Sequence, residues 1–575
     1  MSTTFANPID MQNRLFSELS RMFGREVPLY DKSLLVNSVT NRAVCDLLAA
    51  CFDGFSITDE QLDKTSGERH GAIRIGRPDE YRWIGRFFAC FAMQPHNFYD
   101  MTSVGAKSQP VIATAFRSLV HPEHRIFTSL LQTSYFDDDT RRRVEALLAR
   151  RQVFSPRAMQ LIEACERDGG LSSSDADALI AEGTTRIFKW TGRAHDHALY
   201  AHLCNAGFKI AADIACFQAH HLNHLTPNTF CMDLYTSAMK FCLGEMKEPT
   251  FRTRASTALQ RLEQHADAHW MRLHFKHLSR DEIAAFRRAA PAPGTIARAV
   301  DALVARLSRD DLRLATLNHA GFKDFTEGPS QDTPVLLRQD AYKALTEPVH
   351  FTNPDGTQFD TVHTARFGEI EQRFYATTPH GRELYDRCLA AAERDVPATL
   401  AKTDFSAYEA AYASHFAQFP KTLPELLSQG FVYAWFEPTA KGLNARGTID
   451  STDIFDLVRE GYAAYEGLRY EDFLPVSAAG IFASNLNQYG TQSTAAVKPT
   501  YTKQMLEEIL GKPIIEADVV YRGLHAESLL HTYAELGLTE RLDAAARAAL
   551  ERDAAALPPD AASRYAERSV LAARA

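Results

Sequence analysis

The charged residues of Phe367-Gly-Glu-Ile-Glu-Gln-Arg373 alternate, so an extended chain turns Glu369, Glu371 and Arg373 to one face. Two carboxylates and a guanidinium together form either a solvated sheet surface or part of a metal site, and exposed alternating charge is the commoner cause of the pattern. His363-Thr-Ala-Arg366 precedes this stretch and Thr378-Pro-His-Gly381 follows it. A second stretch, Gly67-Glu-Arg-His70-Gly-Ala-Ile-Arg74, puts His70, Ala72 and Arg74 on one strand face. There an imidazole and a guanidinium either share a pocket or stand in solvent on an edge strand. A third, Gln218-Ala-His-His221-Leu-Asn-His224-Leu-Thr-Pro227, admits two geometries. On a helix, His220 and His224 are i,i+4 partners as in zinc hydrolases, but the position where those enzymes carry a glutamate base is His221. In an extended segment His224 points inward beside Asn223, and Pro227 argues against a continuing helix. A lone inward histidine is more often a hydrogen-bonded core residue than a ligand.

The elements that must carry these residues follow from periodicity. Residues 1–60 read as helix, with apolar residues at helical spacing in 11–23 and 43–52. Residues 61–231 read as the first part of a β core with helices: strand texture in 91–100 and 111–117, and helices in 140–150 and 175–182, the latter capped from Ser172 to Ser174. Residues 232–318 have strong helical periodicity broken at Ala290-Pro-Ala-Pro-Gly294, which reads as a helical insertion packed outside the core. Strand texture resumes over 319–382, with an Asn353-Pro-Asp-Gly356 turn before the opening stretch. Residues 383–575 read as helical, interrupted by the apolar, turn-rich segment 470–485. The fold class expected is α+β.

Composition excludes several functions. A chain of 575 residues buries a large core and exceeds what one core usually supports. A net charge of -9 gives no electrostatic footprint for nucleic acid. Nine scattered cysteines without a C-x-x-C pair fit reduced thiols, and no segment offers about 18 uninterrupted apolar residues. The expectation is a cytoplasmic protein with no nucleic-acid or membrane partner; its oligomeric state is not legible.

Four stretches, Gly67 to Arg74, His221 to Pro227, His363 to Arg373 and Leu474-Pro-Val-Ser-Ala-Ala-Gly-Ile-Phe482, resemble in order those of the 2-oxoadipate dioxygenase/decarboxylase family, also called hydroxyglutarate synthase. Phe322 to Pro329 and Leu336-Leu-Arg-Gln339 resemble it too, and the likeness runs from about residue 10 to about 530. The resemblance implies a vicinal oxygen chelate-like, partly open β-barrel core with large helical additions. It implies Fe(II) held by His70, His224 and Glu369, Arg74 on the far carboxylate of the substrate, and Val476 and Ser477 lining its pocket. Glu369 is preferred to Glu371 because Phe367-Gly-Glu also resembles the last ligand strand of 4-hydroxyphenylpyruvate dioxygenases. His221 and Glu371 then become candidates for orienting the ligands.

Two imidazoles and one carboxylate leave three adjacent positions open on Fe(II), which a 2-oxo acid and O2 can fill. The implied reaction turns 2-oxoadipate and O2 into 2-hydroxyglutarate and CO2, in lysine catabolism, with no separate oxo-acid cosubstrate. Three departures stand out: the helical insertion between His224 and Glu369, Phe374 in place of a glycine, and Asn228 in place of a basic residue. They predict a narrower pocket and a lost charge contact. The alternatives are the same iron chemistry on another 2-oxo acid, a non-catalytic metal or small-ligand binding protein of the same fold, and, more remotely, a zinc hydrolase.

Overall fold

The N-terminal helix Pro8–Glu26 begins where Asn7 caps it, its side chain accepting from the Ile9 amide at 2.8 Å with proline in the first turn. Leu15, Phe16, Leu19 and Phe23 recur at helical spacing and are buried, each contributing about 1.5–3 kcal/mol. This computed structural model describes residues 5–104, 108–119, 121–319, 321, 328–364, 366, 368–474, 492–559, 561–563 and 565–566.

That helix packs on a five-stranded sheet in the order 94–100, 111–117, 124–131, 69–75, 224–227. The strand Arg69–Ile75 lies parallel to His124–Leu131 and antiparallel to His224–Pro227; the remaining pairs are antiparallel. Gly71 allows this close fit, because a Cβ there would sit 3.1 Å from the carbonyl oxygen of His224 and 3.0 Å from Ile126 Cδ1. A second sheet pairs Glu369–Arg373 with Leu337–Ala341, and meets the first where the Thr229 amide donates to the Glu371 carbonyl at 2.8 Å. A third joins 358–364, 346–352 and 193–195. The architecture is mixed, helices with several sheets, and among the described residues no sheet closes into a barrel.

Helices Met232–Cys242, Glu248–His265 and Thr295–Leu307 pack against Pro28–Cys51 around a second apolar core. By length and composition Pro28–Cys51 is apolar enough to cross a membrane, yet thirteen of its residues are buried inside the protein. It also braces the site: Asn37 Nδ2 donates to the Asn228 carbonyl at 3.0 Å, and Asn41 Oδ1 accepts from the Phe230 amide at 3.0 Å. The nine cysteines are free.

Three expectations need correcting. Glu369 to Arg373 is not a solvated face, since every residue of that strand is buried. The His70 strand is not an edge but lies inside its sheet between two neighbours. The chain after residue 382 is not helical throughout, because Ala434–Pro438 and Ala463–Gly467 pair antiparallel; strands this short and alanine-containing carry little periodic signal.

Candidate metal centre

Strand pairing brings the first two site residues together. His224 opens its strand opposite Ala72, and His70 lies two residues earlier opposite Thr226, so both imidazoles reach the same side of the sheet. The Glu369 strand, docked beside the end of the His224 strand, supplies the carboxylate. Glu369 Oε2 lies 3.3 Å from His70 Nε2, 3.6 Å from His224 Nε2 and 3.2 Å from Thr226 Oγ1. One donor atom from each of His70, His224 and Glu369 lies within 4.8 Å of the others, and all three residues are buried.

The surroundings favour a cation. Burial, with positive His70 and Arg74 nearby, holds His224 well below the usual histidine range, so it is neutral and has a lone pair to give. At His70 burial lowers the pKa, but Glu371 and Glu369 outweigh it and the net shift is upward. Glu371 Oε2 lies 2.8 Å from His70 Nδ1, the ring nitrogen on the far side from Glu369. Burial alone would raise the Glu371 carboxyl; Arg373, His70 and Arg125 instead hold it well below the usual range. Arg373 donates twice to Glu371, at 2.7 and 2.9 Å, and Arg125 once, at 3.1 Å. Two arginines thus occupy Glu371, while Glu369 is the carboxylate next to both imidazoles. A buried His-His-carboxylate set with a carboxylate behind one imidazole fits a divalent metal.

Arg125 extends this polar core. It pairs with Glu68 at 2.5 Å and Glu471 at 2.8 Å, and Arg469 pairs with Glu68 at 3.0 Å. Burial opposes ionisation of Glu471, yet Lys276, Arg469 and Arg125 outweigh it and hold its pKa down at about 2. Isolated, each charge would be costly to bury; as a hydrogen-bonded network they fix the geometry around Glu371. The Phe473 ring stands edge-on to His70 with centroids 5.1 Å apart and packs on Phe127 at 5.6 Å.

Arg74 follows His70 along the same strand face and is buried. Its Nη1 donates to Asp213 Oδ2 at 2.7 Å, its one hydrogen-bond partner among the described residues. Asp213 is held in turn by His363 Nε2 at 3.0 Å, His221 Nε2 at 3.3 Å and Asn223 Nδ2 at 3.2 Å. Burial again opposes the charge, and His221, His363 and Arg74 hold Asp213 well below the carboxylate range.

The sequence-derived residues thus divide. His70, His224 and Glu369 come together, with Glu371 against His70; His221 lies instead with Asp213 and Arg74. Val476 and Ser477 lie outside the described residues. Phe374 does not narrow the site: it turns to the opposite side of its strand and packs in the C-terminal core, 6.3 Å from the His274 ring. Asn228 is buried, its backbone paired with that of Glu371. Sequence reasoning missed Asp213, Arg125 and Phe473. A single acid in the apolar run Phe208–Phe217 was the available sign of Asp213; Arg125 and Phe473 gave none.

The sequence model of one family, described as 2-oxoadipate dioxygenase/decarboxylase, matches residues 15–256 and 263–485. A 2-oxoadipate dioxygenase/decarboxylase of Pseudomonas putida is 32% identical over 534 residues, covering 91% of this chain and 96% of the relative. One from Escherichia coli is 29% identical over 522 residues, covering 89% and 95%. Among solved structures, the hydroxyglutarate synthase of Pseudomonas putida in complex with 2-oxoadipate superposes with a TM-score of 0.64 at 30% identity, covering 93% of this chain and 99% of that one.

Proposed function

The chain belongs to the 2-oxoadipate dioxygenase/decarboxylase family, and from that membership and the buried cluster we propose how it works. It converts 2-oxoadipate and O2 to 2-hydroxyglutarate and CO2, as a step of lysine catabolism in the cytoplasm. The atoms balance: C1 leaves as CO2, one oxygen atom enters the carboxylate formed at the former keto carbon, and the other becomes the hydroxyl on the next carbon. The observation that carries this reading is the convergence of His70, His224 and Glu369 in a buried site.

These three residues would hold Fe(II), which would supply Lewis-acid and redox chemistry toward the 2-oxo acid and O2. The protein's own groups do the rest. Glu371, with Oε2 2.8 Å from His70 Nδ1, attracts the protonated form of that nitrogen and holds the ring with Nε2 toward the metal. Thr226 donates to Glu369 and sets its carboxylate. Arg74, steadied by Asp213, presents its remaining donors to the distal carboxylate and so selects chain length. Phe473 lines the His70 side with an apolar edge that excludes water. The core is a partly open barrel of vicinal oxygen chelate type, supported by the junction of the His224 and Glu369 strands.

Oxygen uptake by protein purified without air, loaded with Fe(II) and given 2-oxoadipate, tests the reading. Uptake matched by CO2 and 2-hydroxyglutarate, absent in His224→Ala, is expected. Uptake with 2-oxoglutarate but not 2-oxoadipate would move the activity to another oxo acid, and none with either would leave a binding role.

A further inference from the structure

A cleft of about 370 Å³ lies away from the metal centre, between helices Met232–Cys242 and Glu248–His265 on one side and Phe405–Ser414 on the other. It would hold several waters or one amino-acid-sized molecule, water occupying about 30 Å³ each in the liquid. Arg338 lines it and is 4% exposed. Its Nη2 donates to Asp233 Oδ1 at 2.8 Å, whereas its Nε and Nη1 are buried with no partner among the described residues. Thr236 also lines the cleft, and its hydroxyl is buried and likewise unpartnered among those residues. A buried guanidinium with two idle nitrogens is costly, and it calls for an anionic acceptor.

The same cleft has the opposite demand at its other wall. Glu409, half-buried on Phe405–Ser414, makes no hydrogen bond or ion pair among the described residues. Burial and the nearby Asp233 push its carboxyl upward in spite of Arg338, Arg254 and Arg261. A donor carrying positive charge would relieve it.

We propose that this cleft binds a small zwitterion, an α-amino acid or close analogue, whose carboxylate accepts from Arg338 and Thr236 and whose ammonium donates to Glu409. An anion alone would satisfy the first pair and repel the second; a cation alone would do the reverse. The cleft shares no residue with the metal centre, so the proposal stands apart from the dioxygenase reading. It is nevertheless one strand away, for Arg338 pairs with Gln372 on the strand that carries Glu369 and Glu371.

Isothermal calorimetry on the full, metal-loaded chain with L-glutamate, L-lysine and glutarate tests it, repeated in His224→Ala so that binding at the metal centre is separated from binding in the cleft. At least one amino acid is expected to bind both proteins equally, with glutarate about tenfold weaker in the variant and Glu409→Gln weakening the amino acid by about tenfold. Glu409 is partly exposed, so its amide variant folds; Thr236→Val, of equal size, gives a second readout with the same expected direction. Failure of both amino acids to bind, loss of binding in His224→Ala, equal binding of glutarate, or indifference to both cleft substitutions overturns the proposal.

Discussion

Glu371 places Oε2 2.8 Å from Nδ1 of His70, leaving Nε2 of that ring toward Glu369. The pairing fixes tautomer and ring orientation together. Replacing Glu371 with glutamine keeps the shape and removes the charge, so metal affinity is expected to fall about 10- to 100-fold. Titration with Fe(II), or with Co(II) followed by its absorption bands, measures this directly. Because Arg125 and Arg373 lose their shared counter-charge, a stability loss of about 3–5 kcal/mol accompanies it, read separately by urea unfolding.

His224 is wholly buried and its pKa is held well below the usual histidine range, so in the proposed centre it donates a lone pair to the metal. His224→Ala is expected to abolish stoichiometric metal binding and to cut oxygen uptake by more than the roughly 100-fold reserved for outer partners. Metal content after gel filtration and circular dichroism together check it. An unchanged iron content in a folded variant would remove His224 from the ligand set.

Arg74 reads the far end of the substrate in the proposed mechanism. Arg74→Gln is expected to lower kcat/KM for 2-oxoadipate by about two orders of magnitude while changing 2-oxohexanoate, which lacks the second carboxylate, much less. Asp213→Asn is expected to raise KM for 2-oxoadipate more than it lowers kcat, because Asp213 positions Arg74 and does not touch the reacting carbons.

Burial pushes His124 down to about 4 and His274 down to about 3. Both are neutral in the folded protein, whereas unfolded histidine titrates near 6.5. The unfolded chain therefore binds more protons in that window, and stability is fully present above pH 6.5 and declines as pH falls toward 4. Each histidine contributes a loss of about 2 kcal/mol between pH 6.5 and pH 5. Urea unfolding at pH 7 and pH 5 checks it, with a shallower difference in His124→Gln. Equal pH differences in the two proteins would assign the acid loss to other groups.

The sequence by itself determined the helical and strand texture of most of the chain and the three stretches that carry His70, His224 and Glu369, because period-two alternation and an ordered set of motifs are local properties. It also set the order of those stretches along the chain, and so the family. What it left open was which charges were buried. Alternation placed Glu369, Glu371 and Arg373 on one face but could not tell water from protein on that face; Arg125, on a strand 246 residues away from Glu371, decides it. Motif likeness favoured Glu369 over Glu371, but alternation alone did not separate them; the packing of Arg373 and Arg125 against Glu371 is the tertiary feature that leaves Glu369 as the carboxylate beside Nε2 of both imidazoles. Asp213, Phe473 and the cleft at Arg338 are likewise products of long-range contact. Burial and pairing are properties of the folded surface as a whole, and tertiary structure alone assigns them.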